Sequence, residues 1–122
     1  MNSVAVLGAS TDRSKFGNKA VRAYAQRGFR VFPVNPREPV VEGLTAYSSI
    51  QIVPERPNRI SVYLPPPVLL AVLPDIAARG CEKLWLNPGT DSAEVLAEAE
   101  RLGLPVVQAC SILALGLSPS AL

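Results

Sequence analysis

Five short apolar runs alternate along the chain with stretches whose apolar residues recur at helical spacing. The runs cover residues 4–7, 29–34, 59–64, 83–86 and 105–107. Runs this short, bounded by glycine, proline or asparagine, read as buried strands. Between the first two, Ala20, Val21, Tyr24 and Ala25 mark one face of a helix over 17–27 that stops at Gly28. Residues 40–57 are irregular, with one short helix expected over 47–53. A helix is expected over 68–79, entered through Pro65-Pro66-Pro67 and kinked at Pro74, whose missing N–H breaks one backbone bond. Asp91-Ser92-Ala93-Glu94 opens another helix, to Leu102, as a cap with an acidic reciprocal partner. The segment 110–117 is a short helix or a strand extension.

Strands separated by helices must pair in parallel, because each crossover returns the chain to the same edge. Right-handed crossovers then place helices on both faces. The expected fold is α/β: a three-layer Rossmann-like sandwich with a five-stranded, mainly parallel sheet, in a single domain over residues 1–122. A chain of 122 residues can bury such a core without disulfide staples.

Composition removes several kinds of chemistry. The chain has no histidine, so Ser-His-Asp and Cys-His catalysis and histidine-based zinc sites are excluded. Its two cysteines, Cys81 and Cys110, form no CxxC ligand set. No pair of carboxylates is placed by strand ends for acid–base work. Twelve basic and ten acidic residues give a charge of +2, and the arginines stand singly, which does not fit a nucleic-acid surface. Without a signal peptide or a long apolar run, a cytoplasmic protein with no membrane contact is expected.

In such folds ligands bind beyond the carboxyl ends of the strands, at the switch in strand order. The first strand end carries Gly8-Ala9-Ser10-Thr11-Asp12-Arg13-Ser14-Lys15. Gly8 permits close backbone approach, Ser10 offers a hydroxyl, the loop amides and the helix start can receive phosphate oxygens, and Lys15 adds a cation. The same residues also suit a plain tight turn. The loop lacks the G-x-G-x-x-G dinucleotide fingerprint. The second strand end, Asn35-Pro36-Arg37, lacks the acidic residue that NAD sites use. Arg37 is therefore either a partner for a ribose phosphate or a solvated loop charge. Leu64 and Pro65-Pro66-Pro67 can wall an apolar groove, or simply start a helix. Asn87, Gly89 and Thr90 can hydrogen-bond the amides of an extended ligand arm.

The segments Val4-Ala5-Val6-Leu7-Gly8-Ala9-Ser10, Lys15-Phe16-Gly17-Asn18 and Val31-Phe32-Pro33-Val34-Asn35-Pro36-Arg37 resemble the CoA-binding domain family. These are small Rossmann-like proteins similar to the CoA-binding domain of the succinyl-CoA synthetase alpha subunit. Leu64-Pro65-Pro66-Pro67, Trp85-Leu86-Asn87-Pro88-Gly89-Thr90 and Val106-Val107-Gln108-Ala109-Cys110 follow in the same order, so the resemblance spans nearly the whole chain. It implies coenzyme A as ligand. Gly8, Ala9, Ser10 and Lys15 would hold its phosphates, and Val34, Asn35, Pro36 and Arg37 would flank the adenosine and its ribose phosphate. Leu64 and Pro65 would line the adenine or pantetheine path, and Asn87, Pro88 and Gly89 would lie near the pantetheine. Many relatives carry glutamine where this chain has Asn87. The synthetase's phosphorylated histidine has no counterpart, so the resemblance supplies a ligand and no reaction.

The resulting expectation is a non-catalytic coenzyme A or acyl-CoA binding protein, acting alone, as a homodimer, or as the partner of an enzyme subunit. An NADP-type nucleotide-binding enzyme or a fragment of one, and a protein interaction module with a vestigial crevice, are the alternatives. A Gly8→Val substitution is expected to remove binding by filling the phosphate position. Cys110, on the crevice side, either meets the coenzyme A thiol and forms a mixed disulfide under oxidation, or packs as a small apolar residue. Cys81, at the opposite sheet edge, is too far away to pair with it. Trp85 is expected in the core. The apolar tail 112–117 covers either its own sheet or a second copy.

Overall fold

The computed structural model describes residues 2–122. The chain runs β1 (Ser3–Leu7), α1 (Phe16–Gln26), β2 (Arg30–Val34), β3 (Val40–Val41), β4 (Leu44–Thr45), a 3-10 turn at Ile50–Ile52, and β5 (Arg59–Val62). It continues α2 (Pro66–Arg79), β6 (Lys83–Leu86), α3 (Ala93–Arg101), β7 (Val106–Gln108), α4 (Ser111–Ala114) and a last 3-10 turn at Pro119–Ala121.

The main sheet has the order β2-β1-β5-β6-β7, with every neighbouring pair parallel. After β2 the chain crosses β1 and continues on its other side, so the switch in strand order lies between β1 and β5. The α/β sandwich expected from the alternating pattern is thus present, and its sheet is wholly parallel. Both of its faces are covered, as such sheets require. Ala5, Leu7, Ile60, Val62, Leu84 and Leu86 join Leu69, Leu73 and Ile76 of α2 and Val95 of α3 in one core. Val4 and Val6 point the other way, into a core with Ala20, Val21 and Tyr24 of α1 and Ile112 of α4. This is the period-2 alternation of a strand written through two cores.

Local chemistry accounts for most element ends. Leu69, Leu73 and Ile76, at i, i+4 and i+7, give α2 its buried stripe. Pro74 falls on its exposed face, and the helix continues through it to Arg79. In α3, Ser92 Oγ accepts from Val95 N at 3.2 Å. The third helical residue is Val95, so Glu94 sits one position early for the reciprocal bond of a capping box. Pro33 is tolerated within β2 because β2 is an edge strand.

Residues 40–57 differ from expectation. Val40–Val41 and Leu44–Thr45 form a small antiparallel hairpin, and only Ile50–Ile52 is helical, as one 3-10 turn. The segment after the hairpin is pinned to the edge of β2. Tyr47 N donates to Pro33 O and Asn35 N donates to Tyr47 O, each at 2.9 Å. The tail is settled as well. Ser111–Ala114 is helical, and Leu115, Leu117 and Leu122 pack on the chain's own second core. No helix among the described residues is long and apolar enough to cross a membrane.

Candidate functional site

Three hollows meet at the carboxyl edge of the sheet, around the loop from β1 to α1. The first is an apolar cleft of about 230 Å3 at the switch point, reached by Leu7, Gly8, Val34, Pro36, Ile50 and Leu64. Val68 and Val72 of α2 close its far side. A more open hollow of about 310 Å3 adjoins it, sharing Pro36 and Ser48 and edged by Arg37. The third, about 150 Å3, lies on the opposite face of the sheet and is lined by Phe16, Tyr63, Asn87, Pro88 and Cys110. Tyr63 and Leu64 follow β5 and point to opposite faces, so adjacent residues wall two different cavities. Gly8 and its loop lie between them. Phe16, Val68 and Ile52, three of the large apolar side chains left exposed, border these hollows.

The loop itself is strongly organised. Ser10 Oγ accepts from Asp12 N at 3.0 Å, and Asp12 Oδ1 accepts from Ser14 N and Ser14 Oγ at 3.0 and 2.7 Å. These bonds from Ser14 hold the Asp12 carboxyl below its usual range. Asn18, fully buried, donates to Ser10 O at 2.9 Å, and Asn35 donates to Ala9 O at 2.7 Å. Loop carbonyls are thus tied back into the fold. Among the described residues, the amides of Ala9, Ser10 and Thr11, and of Phe16 and Gly17 at the start of α1, have no acceptor. A row of unsatisfied N–H groups at a helix start is a receptor for an anion. Lys15, exposed at the cap of α1, and exposed Arg13 supply positive charge beside it.

The sequence-selected residues divide by what their side chains do. Gly8, Val34, Pro36 and Leu64 line the switch-point cleft, and Arg37 extends into solvent beside it. Ser10 and Asn35 spend their polar atoms on holding loops. Asn35 Oδ1 accepts from Arg37 N and Glu38 N at 2.8 and 3.1 Å, so it sets the turn that presents Arg37. Pro65 is exposed at the cap of α2, outside the lining of the cleft, and the proline run starts a helix. Pro88 and Gly89 form the corner of a turn closed by Thr90 N to Asn87 O at 3.0 Å, with Gly89 at φ 94°. Proline followed by glycine at these positions is the type II pattern.

Asn87 is buried, and its amide turns inward rather than toward a ligand arm. Nδ2 donates to Ser61 Oγ at 3.0 Å and Val62 O at 2.9 Å, and Oδ1 accepts from Ser111 N at 2.9 Å. Thr90 Oγ1 likewise donates to Asn87 O at 2.7 Å. Ser111 Oγ contacts Ser61 Oγ at 2.8 Å and the Tyr63 hydroxyl at 3.2 Å. This network forms the floor of the third cavity. Burial there pushes the Tyr63 phenol up to about 12, so it stays a neutral hydroxyl at physiological pH. Cys110 is half-buried in the wall of the same cavity, Cys81 is buried elsewhere, and both are free thiols. Trp85 is buried, with the Arg59 guanidinium 5.5 Å from its ring centre. Among the described residues no cluster of Cys, Asp and Glu is fit to hold a metal ion.

Sequence reasoning passed over Tyr63, Ile50, Val68 and Val72. The strand alternation that assigns Tyr63 and Leu64 to opposite faces was available as a signal. Nothing in the irregular stretch 40–57 announced that Ile50 would fold over the cleft.

Comparison with known proteins fits this geometry. The family model described as a CoA binding domain matches residues 2–116. The chain is 31% identical over 78 residues to the alpha subunit of an ADP-forming acetate–CoA ligase II of Pyrococcus furiosus, covering 63% of this chain and 17% of that protein. It is 30% identical over 110 residues to an ADP-forming acetate–CoA ligase II of Archaeoglobus fulgidus, covering 87% of this chain and 16% of that one. The chain therefore spans about one sixth of the length of these ligases. Among solved structures, a conserved hypothetical protein of Pyrococcus furiosus superposes with a TM-score of 0.85 at 32% identity, over 93% of this chain and 99% of the other.

Proposed function

The chain belongs to the CoA-binding domain family, and on that premise we propose that it binds coenzyme A or an acyl-CoA across the carboxyl edge of its sheet without itself catalysing a reaction. The observation that carries this reading is the placement of an anion-receiving loop between an apolar cleft on one face and a smaller apolar cavity on the other. A ligand with a flat heteroaromatic head, a diphosphate and a long, largely apolar arm matches that sequence of environments.

The adenine enters the cleft between Val34, Pro36, Ile50 and Leu64. Its ribose phosphate meets Arg37, whose fixed charge suits a phosphate. The diphosphate lies on the free amides of Ala9 to Thr11 and the start of α1, with Lys15 and Arg13 at its flanks. The pantetheine arm passes Gly8 and ends in the cavity of Phe16, Tyr63, Pro88 and Cys110. No charged side chain lines that cavity, so the thiol or thioester end is sheltered and no acid–base pair faces it. The matched segments make up only about one sixth of each ligase. A role as the nucleotide-binding partner of a separate enzyme subunit is part of the proposal.

Arg37→Ala tests the assignment. Loss of one charge-assisted contact costs about 1.5–3 kcal/mol, or roughly ten- to a hundredfold in affinity for coenzyme A. Dephospho-CoA, which lacks the ribose phosphate, should bind the wild type and Arg37→Ala almost equally. Equal weakening of both ligands in calorimetric titration would mean that Arg37 does not meet the ribose phosphate.

A further inference from the structure

The turn of the β3–β4 hairpin holds a residue in an unfavourable backbone conformation. Glu42 and Gly43 have φ of 49° and 75°. Two consecutive positive φ values suit a two-residue hairpin turn, which favours asparagine, aspartate or glycine at its first position. A glutamate is poorly suited there, because its Cβ crowds the following carbonyl in the left-handed region. Glu42 is the only non-glycine residue with positive φ among the described residues.

The side chain gives a reason for the choice. Glu42 Oε2 accepts from Asn18 Nδ2 at 3.0 Å, and Oε1 lies 3.5 Å from the Arg13 guanidinium. Asn18 Nδ2 also donates to Ser10 O, and Asn18 Oδ1 accepts from Arg22 Nε at 2.7 Å. Arg22 in turn donates to Arg13 O at 2.9 Å. One carboxylate on the hairpin therefore orients the amide that holds Ser10, and pairs with the loop's own arginine. Asparagine or aspartate in that turn would be too short to reach Asn18.

We infer that Glu42 is a positioning residue, holding the β1–α1 loop, through Asn18, in the form whose amides receive the ligand's diphosphate. The inference rests on the proposed binding of coenzyme A to that loop. It assigns the hairpin a role in affinity, and it accounts for a glutamate held in a backbone conformation it disfavours. Fixing the loop before binding removes an ordering cost that the ligand would otherwise meet.

Glu42→Asn and Glu42→Gln separate this role from a structural one. Asparagine relieves the backbone and loses the reach to Asn18, while glutamine keeps both the strain and an acceptor for Asn18. Glu42→Asn should leave the thermal midpoint unchanged or raise it, yet bind coenzyme A roughly tenfold more weakly. Its hydrogen-bonded loop amides, Asp12, Ser14 and Lys15, should exchange hydrogen faster than in the wild type, even with no ligand present. Glu42→Gln should bind within about threefold of wild type. Wild-type affinity and wild-type loop exchange in Glu42→Asn would overturn the inference. So would a midpoint that falls together with affinity, or a glutamine variant as impaired as the asparagine one. If the wild type binds no coenzyme A while loop exchange still responds to Glu42→Asn, the positioning of the loop stands and the ligand reading fails.

Discussion

Gly17→Ala is expected to destabilise the protein by about 3 kcal/mol, lowering the thermal midpoint by roughly 10 °C. In an exposed helix interior the same change stabilises, because alanine is the better helix former by up to about 1 kcal/mol. Here the sign reverses. A Cβ on Gly17 would stand 2.9 Å from the Gly8 carbonyl carbon and 3.3 Å from Ala9 Cα, and closer still to the Gly8 oxygen. All three are backbone atoms, which cannot turn aside as a side chain can. Helix α1 must move off the loop, and the anion-receiving amides move with it. Thermal denaturation checks the first effect. An unchanged or raised midpoint would mean that the start of α1 does not press on the loop as the structure has it.

Gly8→Ala should cost about the same, for two reasons that add. Gly8 has φ 85°, where an L-residue is strained by about 1–2 kcal/mol. Its added Cβ would also lie 2.9 Å from the Tyr63 carbonyl carbon and 3.3 Å from Leu64 Cδ2, a crowding worth about 1–3 kcal/mol. The first obstacle is therefore the end of β5. The sequence suggested that a larger residue at position 8 would fill the phosphate position. The structure shows that it would push β1 and β5 apart at the switch point first. Gly8→Ala should lower the urea midpoint, and its loss of ligand should follow its loss of fold. A Gly8→Ala protein with wild-type stability would contradict the packing described for this corner.

These two glycines show which parts of the molecule were legible in the sequence. Buried parallel strands are nearly continuous apolar runs, so β1, β2, β5 and β6 stand out, and so do the amphipathic faces of α1 and α3. The strand ends follow, and with them the place of the crevice. Side-chain direction was less legible. Asn35, Asn87 and Thr90 look like ligand contacts when read as polar residues at strand ends. In the fold Asn35 ties down its own turn and the first loop, while Asn87 and Thr90 satisfy buried backbone groups, the more pressing demand where water is excluded. The hairpin β3–β4 escaped notice because two-residue strands carry no periodicity, and because Glu42-Gly43 is not among the usual turn pairs. That exception marks the residue now placed behind the loop. Ile50 and Val68 were unreadable for another reason. Each becomes part of the cleft only through the long-range pinning of Tyr47 to β2 and the docking of α2.

In the proposed binding mode one ligand spans both faces of the sheet through the loop at Gly8. Calorimetric titration of the ligand-free, folded protein with coenzyme A, followed by competition with NADPH, tests it most directly. NADPH shares the adenosine and the diphosphate, but it carries its ribose phosphate on the 2′ rather than the 3′ oxygen and has no pantetheine arm to reach the cavity of Phe16, Tyr63 and Cys110. Coenzyme A should bind with a dissociation constant on the order of micromolar, undisturbed by a similar concentration of NADPH. No heat with coenzyme A, or its displacement by an equal concentration of NADPH, would contradict it.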